Sequence, residues 1–426
     1  MSLQHFQEKL YGYDRQAFAN RMLKLLAIIL CLKIWGYFTL SENILITRAL
    51  KILIRLSMTI ATLWVYQQLK NKRCVPSFQY QHTLAPLLYG GYLFLGLCSL
   101  LWSTNPGYSL LQLTMNTESF LFVLIYMRTF ILLRKFYPES QARLSRLFAP
   151  AIFNINLIFI IGMFIFPDQF YRLTHGGEEA RLGGYFMNPN ELGMLAVVGL
   201  AASFIEMQQG ANKIWHSFMC AILLFSLVKT GSRSSLIGFM LILGYFLYHS
   251  NQQKLKMAVA AGVVLSMPFV ISTIFLKQGD VEEVLSMTGR LPFWKALLSE
   301  GLPKEPLLGF GYMRIAYTDA FQSVHTYAGK MTHNTFIQVM MNLGLIGFGL
   351  ILIQMVMTIR AFLQSQLKQD KAFFIGTFIP ILINSFTEFG IFGEANFGIL
   401  FYQFLIFLFV IRYHERLSLR AYVGLE

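Results

Sequence analysis

Long apolar segments alternate with short polar ones along the whole chain. Segments of about 20 apolar residues are long enough to cross the roughly 30 Å hydrocarbon core of a bilayer as helices. The pattern predicts an all-α integral membrane protein with about twelve transmembrane helices, at residues 22–40, 46–68, 84–103, 112–133, 148–167, 189–207, 212–229, 234–249, 256–276, 344–364, 372–388 and 395–412. One long hydrophilic interval, residues 277–333, separates the ninth predicted helix from the tenth.

Composition leads to the same class of protein. Of the 426 residues, 55% are hydrophobic and 13% are charged, whereas about a quarter of the residues of a soluble domain are charged. We therefore expect a single polytopic membrane domain, residues 1–426, with 277–333 as a large extracytoplasmic loop. The polar segment Met1–Arg21 has mixed charge and does not resemble a cleaved signal peptide, so the first helix is expected to remain.

The basic residues predict an orientation. The formal net charge is +14, but Lys and Arg occur in short clusters rather than along one face, which argues against nucleic-acid binding. Because Lys and Arg accumulate in short cytoplasmic loops, the basic loops are assigned to the cytoplasm. Both termini are then cytoplasmic, and residues 277–333 face the outside. The basic loops contain Lys9/Arg15/Arg21, Lys70/Lys72/Arg73, Arg134/Lys135/Arg143/Arg146, Lys254/Lys256, Lys368/Lys371 and Arg412/Arg416/Arg420.

Three arginines on the predicted outer side run against this bias: Arg181, Arg233 and Arg290. Arg233 lies in Thr230-Gly-Ser-Arg-Ser-Ser235, where small side chains such as Ser232 surround the start of a predicted helix. A guanidinium beside the amide groups of a helix N-terminus forms an anion site that suits phosphate. The alternative for each arginine is that it snorkels toward lipid headgroups.

His333 stands on the same predicted face and is followed by Asn334. A neutral imidazole can accept a proton from a hydroxyl near pH 7, so His333 is a candidate general base. A structural hydrogen bond is the commoner role of a single histidine. His325 is a competing candidate base, and Glu388 and Glu394 lie at the edges of the last outer loop.

Several short motifs on the outer side occur in a characteristic order. They are Arg-x-x-Gly-x-x-x-Asn-Pro-Asn ending at Asn190, Gly-Ser-Arg-Ser-Ser, Gly-Arg-x-x-x-Trp ending at Trp294, Pro-Leu-Leu-Gly-Phe-Gly with Gly309 and Gly311, His-Asn, and Gly-Leu-Ile-Gly. Each motif alone is weak. In this order and topology, the chain resembles the bacterial O-antigen ligase and polysaccharide polymerase superfamily from about Trp102 to Gly347.

The resemblance implies a C-type-like integral membrane glycosyltransferase that needs no metal ion and no other cofactor. Its donor would be a glycan on undecaprenyl diphosphate at the outer face of the bacterial inner membrane. The acceptor would be a sugar hydroxyl on a lipid core or another glycan, and transfer would invert the anomeric centre. Arg233, Arg290 and Arg181 would hold the diphosphate, and His333 would act as base. The supporting residues would be Ser232, Asn190, Trp294, Gly309, Gly311, Asn334 and His325.

Two alternatives stay open at the level of function. Polymerase and ligase use the same donor and differ in the acceptor, which the motifs do not identify. A transporter or flippase for a lipid-linked anionic substrate is the alternative class, although no inverted repeat is visible and the candidate residues crowd one side. A metal site has little support, because Asp280-Val-Glu-Glu283 suits a helix cap. In addition, the cysteines lack C-x-x-C spacing at Cys31, Cys74, Cys98 and Cys220.

Two further features have structural interpretations. Val281–Ser299 can form an amphipathic helix, broken near Gly289 and Pro292, that covers the outer mouth of the bundle or lies on the membrane. Charged residues inside apolar segments are costly unless they face the bundle interior or snorkel to the interface, and the sequence identifies no partners for them. These residues are Lys33, Arg55, Glu118 and Arg128.

Overall fold

The computed structural model describes residues 3–70, 74–174, 179–270, 290–312, 332–388 and 390–417. Helices account for most of this part of the chain. They are α1 Leu3–Trp35, α2 Ile44–Leu69, α3 Leu84–Cys98, α4 Pro106–Phe136, α5 Leu144–Ile165, α6 Pro167–Phe170, α7 Pro189–Gln208, α8 Lys213–Thr230, α9 Arg233–Tyr248, α10 Gln253–Val270, α11 Arg290–Ala296, α12 Thr335–Gln364, α13 Lys368–Thr387 and α14 Phe397–Leu408. Short 3-10 helices cover Ser99–Leu101, Pro138–Ser140 and Leu302–Lys304, and a π-helical turn covers Leu297–Gly301.

Five helical segments in the described ranges are long and apolar enough to cross a membrane. They are Leu84–Leu101, Leu144–Ile165, Pro189–Gln208, Lys213–Thr230 and Thr335–Gln364. Shorter apolar helices cover Arg233–Tyr248, Lys256–Pro268 and Phe397–Leu408. The structure is therefore compatible with a helical membrane protein, while the total of about twelve spans stays a prediction.

Two small antiparallel sheets qualify the all-α expectation. Strand β1 (Cys74–Tyr80) pairs with β4 (Ile411–Leu417), and β2 (Tyr171–Thr174) pairs with β3 (Glu179–Leu182). The predicted helix 395–412 consequently ends early, at Leu408. Residues 411–414 alternate between apolar and polar side chains, a pattern that suits a strand. Tyr413 lies opposite Phe78, and their rings pack edge to face.

Helix α7 lies at the centre of the helix packing. Nearly all of its side chains are buried, and it contacts α5, α8, α9 and α13. At Gly199 a Cβ would lie 2.7 Å from Ile152 Cγ2, so the glycine lets α5 approach closely. Such small residues are typical of helix contacts in membranes. Asn188 caps the N-terminal end of α7 and is the first residue of the Asn-Pro-Asn-Glu sequence. This end of the helix is therefore held firmly among the neighbouring helices.

Three of the four charged residues inside apolar segments are partners of one another. Glu118 accepts hydrogen bonds from Lys33 Nζ, from Arg55 Nε at 3.0 Å and from Thr59 Oγ1 at 2.7 Å. Lys33 and Arg55 are almost completely buried, so an unpaired charge at either position would be very costly. Arg128 lies elsewhere, and its Nε donates to the hydroxyl of Tyr80 at 2.9 Å.

The segment before α12, predicted to face the outside, is helical from Arg290 to Lys304. Pro292 lies in the first turn of α11, where its missing amide needs no partner, and the predicted break near Gly289 and Pro292 stays a prediction. Phe293 and Leu297 are buried, whereas Leu291 and Leu298 are exposed. Residues 281–289 lie outside the described ranges.

Helix α12 changes direction at Gly344, which has φ 62° and ψ −164°. The change interrupts the helical hydrogen bonds, and the segment Pro306–Gly311 supplies partners for the interrupted groups. The bonds are Leu345 N–H to Pro306 O (2.8 Å), Ile346 N–H to Leu307 O (3.3 Å), Phe310 N–H to Met341 O (2.8 Å) and Gly311 N–H to Asn342 O (2.9 Å). The predicted helix 344–364 thus begins at a kink rather than at a helix end.

We expect Gly344→Ala to lower the free energy of unfolding by at least ~2 kcal/mol. The added Cβ would lie 2.2 Å from the carbonyl of Leu307, and the left-handed backbone disfavours any residue with a Cβ. Gly349→Ala is the matched control, because nothing lies within 4 Å of a Cβ there. Thermal unfolding in detergent measures both, and equal melting temperatures would contradict this account of the kink.

Candidate active site

A buried carboxylate connects three of the predicted site residues. Glu388 directly follows the last residue of α13 and is 1% exposed. Its Oε1 accepts from Arg290 Nη2 at 2.9 Å and from Asn190 Nδ2 at 2.8 Å, while its Oε2 lies 2.8 Å from His333 Nδ1. Arg290 also donates to the carbonyl of Thr387. Residues from α7, α11 and the turn before α12 therefore meet at one acidic side chain.

Asn190 extends this network to Arg181. The Arg181 Nη2 donates to Asn190 Oδ1 at 2.6 Å, and its Nε donates to the carbonyl of Thr230 at 2.7 Å. Since the amide nitrogen of Asn190 donates to Glu388, both ends of this amide are engaged. The motif that begins at Arg181 is thus joined to the motif that follows Thr230.

Arg233 is the first residue of α9 and is partly exposed beside this network. Ser232 caps the helix, with its Oγ 3.3 Å from Ser235 N–H and 2.8 Å from Ser235 Oγ. Ser235 Oγ in turn donates to the carbonyl of Asn190 at 3.1 Å. The helix start that carries Arg233 is therefore anchored to the same end of α7 that carries Asn190.

His333 adopts a left-handed backbone conformation, with φ 52°. This region is uncommon for residues other than glycine, although His, Asn and Asp enter it more readily than most. The side chain is 23% exposed, and its Nδ1 faces Glu388. If Nδ1 carries the proton that bonds to the carboxylate, Nε2 is the nitrogen that can accept a proton from a substrate. The geometry suits a general base whose tautomer is set by Glu388.

The other predicted supporting residues have mainly structural contacts. Trp294 Nε1 donates to the carbonyl of Thr332 at 2.6 Å and so steadies the residue before His333. Asn334 caps α12, because its Oδ1 accepts from the amides of residues 336 and 337. A Cβ on Gly309 would lie 2.6 Å from the α12 backbone, and one on Gly311 would lie 2.5 Å from Ser103 Cα. Their contact with a substrate stays a prediction, and His325 lies outside the described residues.

Glu388 is the site residue that the sequence analysis did not assign. The available signal was its position, because it ends an apolar segment on the side predicted to hold the arginines. An acidic residue at that boundary needs a partner, but the sequence alone does not say which arginine or histidine folds against it. Asn188 was missed for the same reason, and its Nδ2 lies 3.5 Å from Glu388 Oε2.

The cluster has an excess of positive charge. Three guanidinium groups and one carboxylate give a net charge of three minus one, or +2, when His333 is neutral. Such a cluster favours an anion with two negative charges. Among the described residues, no three His, Cys, Asp or Glu side chains group together as metal ligands. Independence from metal ions stays a prediction.

Comparison with known proteins agrees with the motifs. Residues 218–352, about a third of the chain, match the protein family described as O-antigen ligase. The matched region contains Arg233, Arg290 and His333. The resemblance to the O-antigen ligase and polymerase superfamily is thereby confirmed, and this family implies a glycosyl-transferring enzyme of the membrane. No curated protein matches the chain.

We expect Glu388→Gln and Arg290→Gln to be coupled in their effects on stability. Each single change leaves a charged partner without its counterion, so the double variant should lose about 0.5–3 kcal/mol less than the sum of the single losses. Unfolding by denaturant in detergent gives the three values.

The control pair combines Arg290→Gln with Glu300→Gln. Glu300 is an exposed carboxylate ten residues further along the same segment. Its effect should add to that of Arg290→Gln within about 0.5 kcal/mol. Equal coupling in both pairs would show that Glu388 has no specific bond to Arg290.

Proposed function

We propose that this protein is a membrane glycosyltransferase that moves a glycan from undecaprenyl diphosphate to a sugar hydroxyl at the outer face of the bacterial inner membrane. It would act as an O-antigen ligase or as a polysaccharide polymerase. The observation that carries the proposal is the meeting of Arg181, Arg290 and His333 on Asn190 and Glu388, with Arg233 anchored beside them.

The arginines suit the donor diphosphate. A diphosphate esterified at both ends has two ionised oxygens, which match the net +2 of the cluster. When the glycosyl bond breaks, the leaving polyprenyl diphosphate gains a further negative charge. Fixed guanidinium groups stabilise that charge as it develops, which is where electrostatic catalysis is most effective. Arg290 is suited to this role because a guanidinium has five N–H donors, of which the described contacts engage two.

His333 suits the acceptor. Its Nε2 would take the proton of the attacking hydroxyl while Nδ1–H donates to Glu388. The acceptor oxygen then bonds to the anomeric carbon, and the bond from that carbon to the diphosphate oxygen breaks on the opposite face. A single displacement of this kind inverts the anomeric centre. Glu388 acts as a positioning residue, since it orients the imidazole and stabilises the imidazolium that forms.

We expect His333→Ala to lower kcat by about 10²–10⁴-fold, because the general base is removed. The assay uses purified protein in nanodiscs, a lipid-linked glycan donor and the acceptor glycan. His249→Ala is the control and should retain activity, since His249 is exposed at the C-terminal end of α9. Transfer by His333→Ala at the wild-type rate would exclude His333 as base, and unmodified protein that never transfers would favour a transporter.

We expect Arg233→Lys and Arg290→Lys each to lower kcat/KM for the donor by roughly tenfold or more. Lysine keeps the positive charge but loses the planar pair of donors that fits a phosphate group. Arg360→Lys is the control, since Arg360 is exposed near the C-terminal end of α12. The same transfer assay measures all three variants, and unchanged donor kinetics in both site variants would remove the arginines from the donor site.

A further inference from the structure

A cavity of about 260 Å³ lies next to the Glu388 cluster. Its volume is close to the lower end of ligand pockets, which begin near 300 Å³. The start of α7 separates the two, because Asn188 lines the cavity and also reaches toward Glu388. Asn190 donates a hydrogen bond to Glu388 in the cluster, whereas Glu191, one residue later, lines the cavity.

The charges that line the cavity are balanced. Glu191 and Glu394 supply two carboxylates, and Lys51 and Arg172 supply two cations. A diphosphate would meet two acidic side chains here, which oppose the attraction of the two cations. The cavity therefore suits a neutral polar ligand, which can accept from the cations and donate to the carboxylates.

Aromatic side chains complete the wall. Tyr37, Tyr185, Phe186 and Phe397 line the cavity together with the amide of Asn396. Hydroxyl-rich rings have polar edges for hydrogen bonds and C–H faces that pack on aromatic rings. The combination of carboxylates, amides and aromatic surfaces is thus the lining that a sugar ring requires.

Buried charged residues of the helix bundle hold Tyr37, one of the residues that line the cavity, in place. The Arg55 guanidinium lies 4.5 Å from the centre of the Tyr37 ring, and Glu118 fixes that guanidinium in place. The Tyr37 hydroxyl donates to Ser119 Oγ at 3.1 Å. Tyr37 is therefore held from two sides, which reduces the entropy lost when a ligand packs against it.

We propose that this cavity binds one uncharged sugar residue of the acceptor glycan and directs its hydroxyl toward His333. The assignment rests on the proposed transfer function. The arginine cluster accounts for the donor diphosphate, so the neighbouring neutral cavity is assigned to the second substrate. Glu191 and Glu394 accept hydrogen bonds from the sugar hydroxyl groups, and Tyr37 packs against the ring.

The first test measures binding without turnover. Saturation-transfer difference NMR is recorded on His333→Ala protein in nanodiscs with the methyl glycosides of glucose, galactose and N-acetylglucosamine. At least one glycoside should receive saturation, and Glu191→Gln or Glu394→Gln in the same background should greatly reduce it. Glutamine at 191 can still cap α7, so the fold is expected to survive. No saturation of any glycoside, or equal saturation in all variants, would overturn the assignment.

The second test uses the transfer assay with native His333. Glu191→Gln and Glu394→Gln should raise KM for the acceptor about tenfold and leave KM for the donor unchanged, because each removes one charge-assisted hydrogen bond. Glu300→Gln is the control. A rise in donor KM alone would instead place the donor sugar here and overturn the proposal. If His333→Ala transfers glycan as fast as the unmodified protein, the proposed transfer function is contradicted. If His333→Ala loses activity but Glu191→Gln and Glu394→Gln leave the acceptor KM unchanged, only the assignment of the cavity is contradicted.

Discussion

A carboxylate buried away from water is stable only when cations and hydrogen-bond donors surround it, because removing a charge from water costs several kcal/mol. Glu388 meets this requirement at the end of α13 by collecting Asn190, Arg290 and His333. These residues come from segments far apart in the sequence. The need to satisfy one acid therefore fixes the position of His333 relative to Arg290, and through Asn190 it reaches Arg181 as well.

The first turn of α7 divides the site into two parts, the charged cluster around Glu388 and the neighbouring cavity. α7 is buried among α5, α8, α9 and α13, so its first turn cannot shift without moving the centre of the bundle. Consecutive residues in that turn lie against different neighbours: Asn190 against the charged cluster and Glu191 against the neighbouring cavity. A rigid helix end holds both sets of groups more accurately than a loop could. The division matches a reaction that joins a charged donor to a polar acceptor.

The sequence predicted the apolar helices because length and hydropathy are local properties, and it found the arginines because they oppose a charge bias. It could not pair Lys33 and Arg55 with Glu118, since those contacts depend on how three helices pack. The Pro306–Gly311 motif was recognised by its letters, but its bonds to the kink at Gly344 appear only in three dimensions. Glu388 was missed for the same reason. Glu388 needs its partners because it is buried, and burial depends on the tertiary structure.

The shared carboxylate also couples the two halves of the proposed reaction. With His333 neutral, the cluster carries +2 before the proposed transfer, and the proposed donor diphosphate carries two negative charges. When His333 takes the acceptor proton, the cluster gains one positive charge, while the leaving diphosphate gains one negative charge. The imidazolium beside Glu388 then adds its own positive charge to that of Arg290. In the proposed step the cluster therefore stabilises the leaving group most at the moment when its charge develops, without any movement of the backbone.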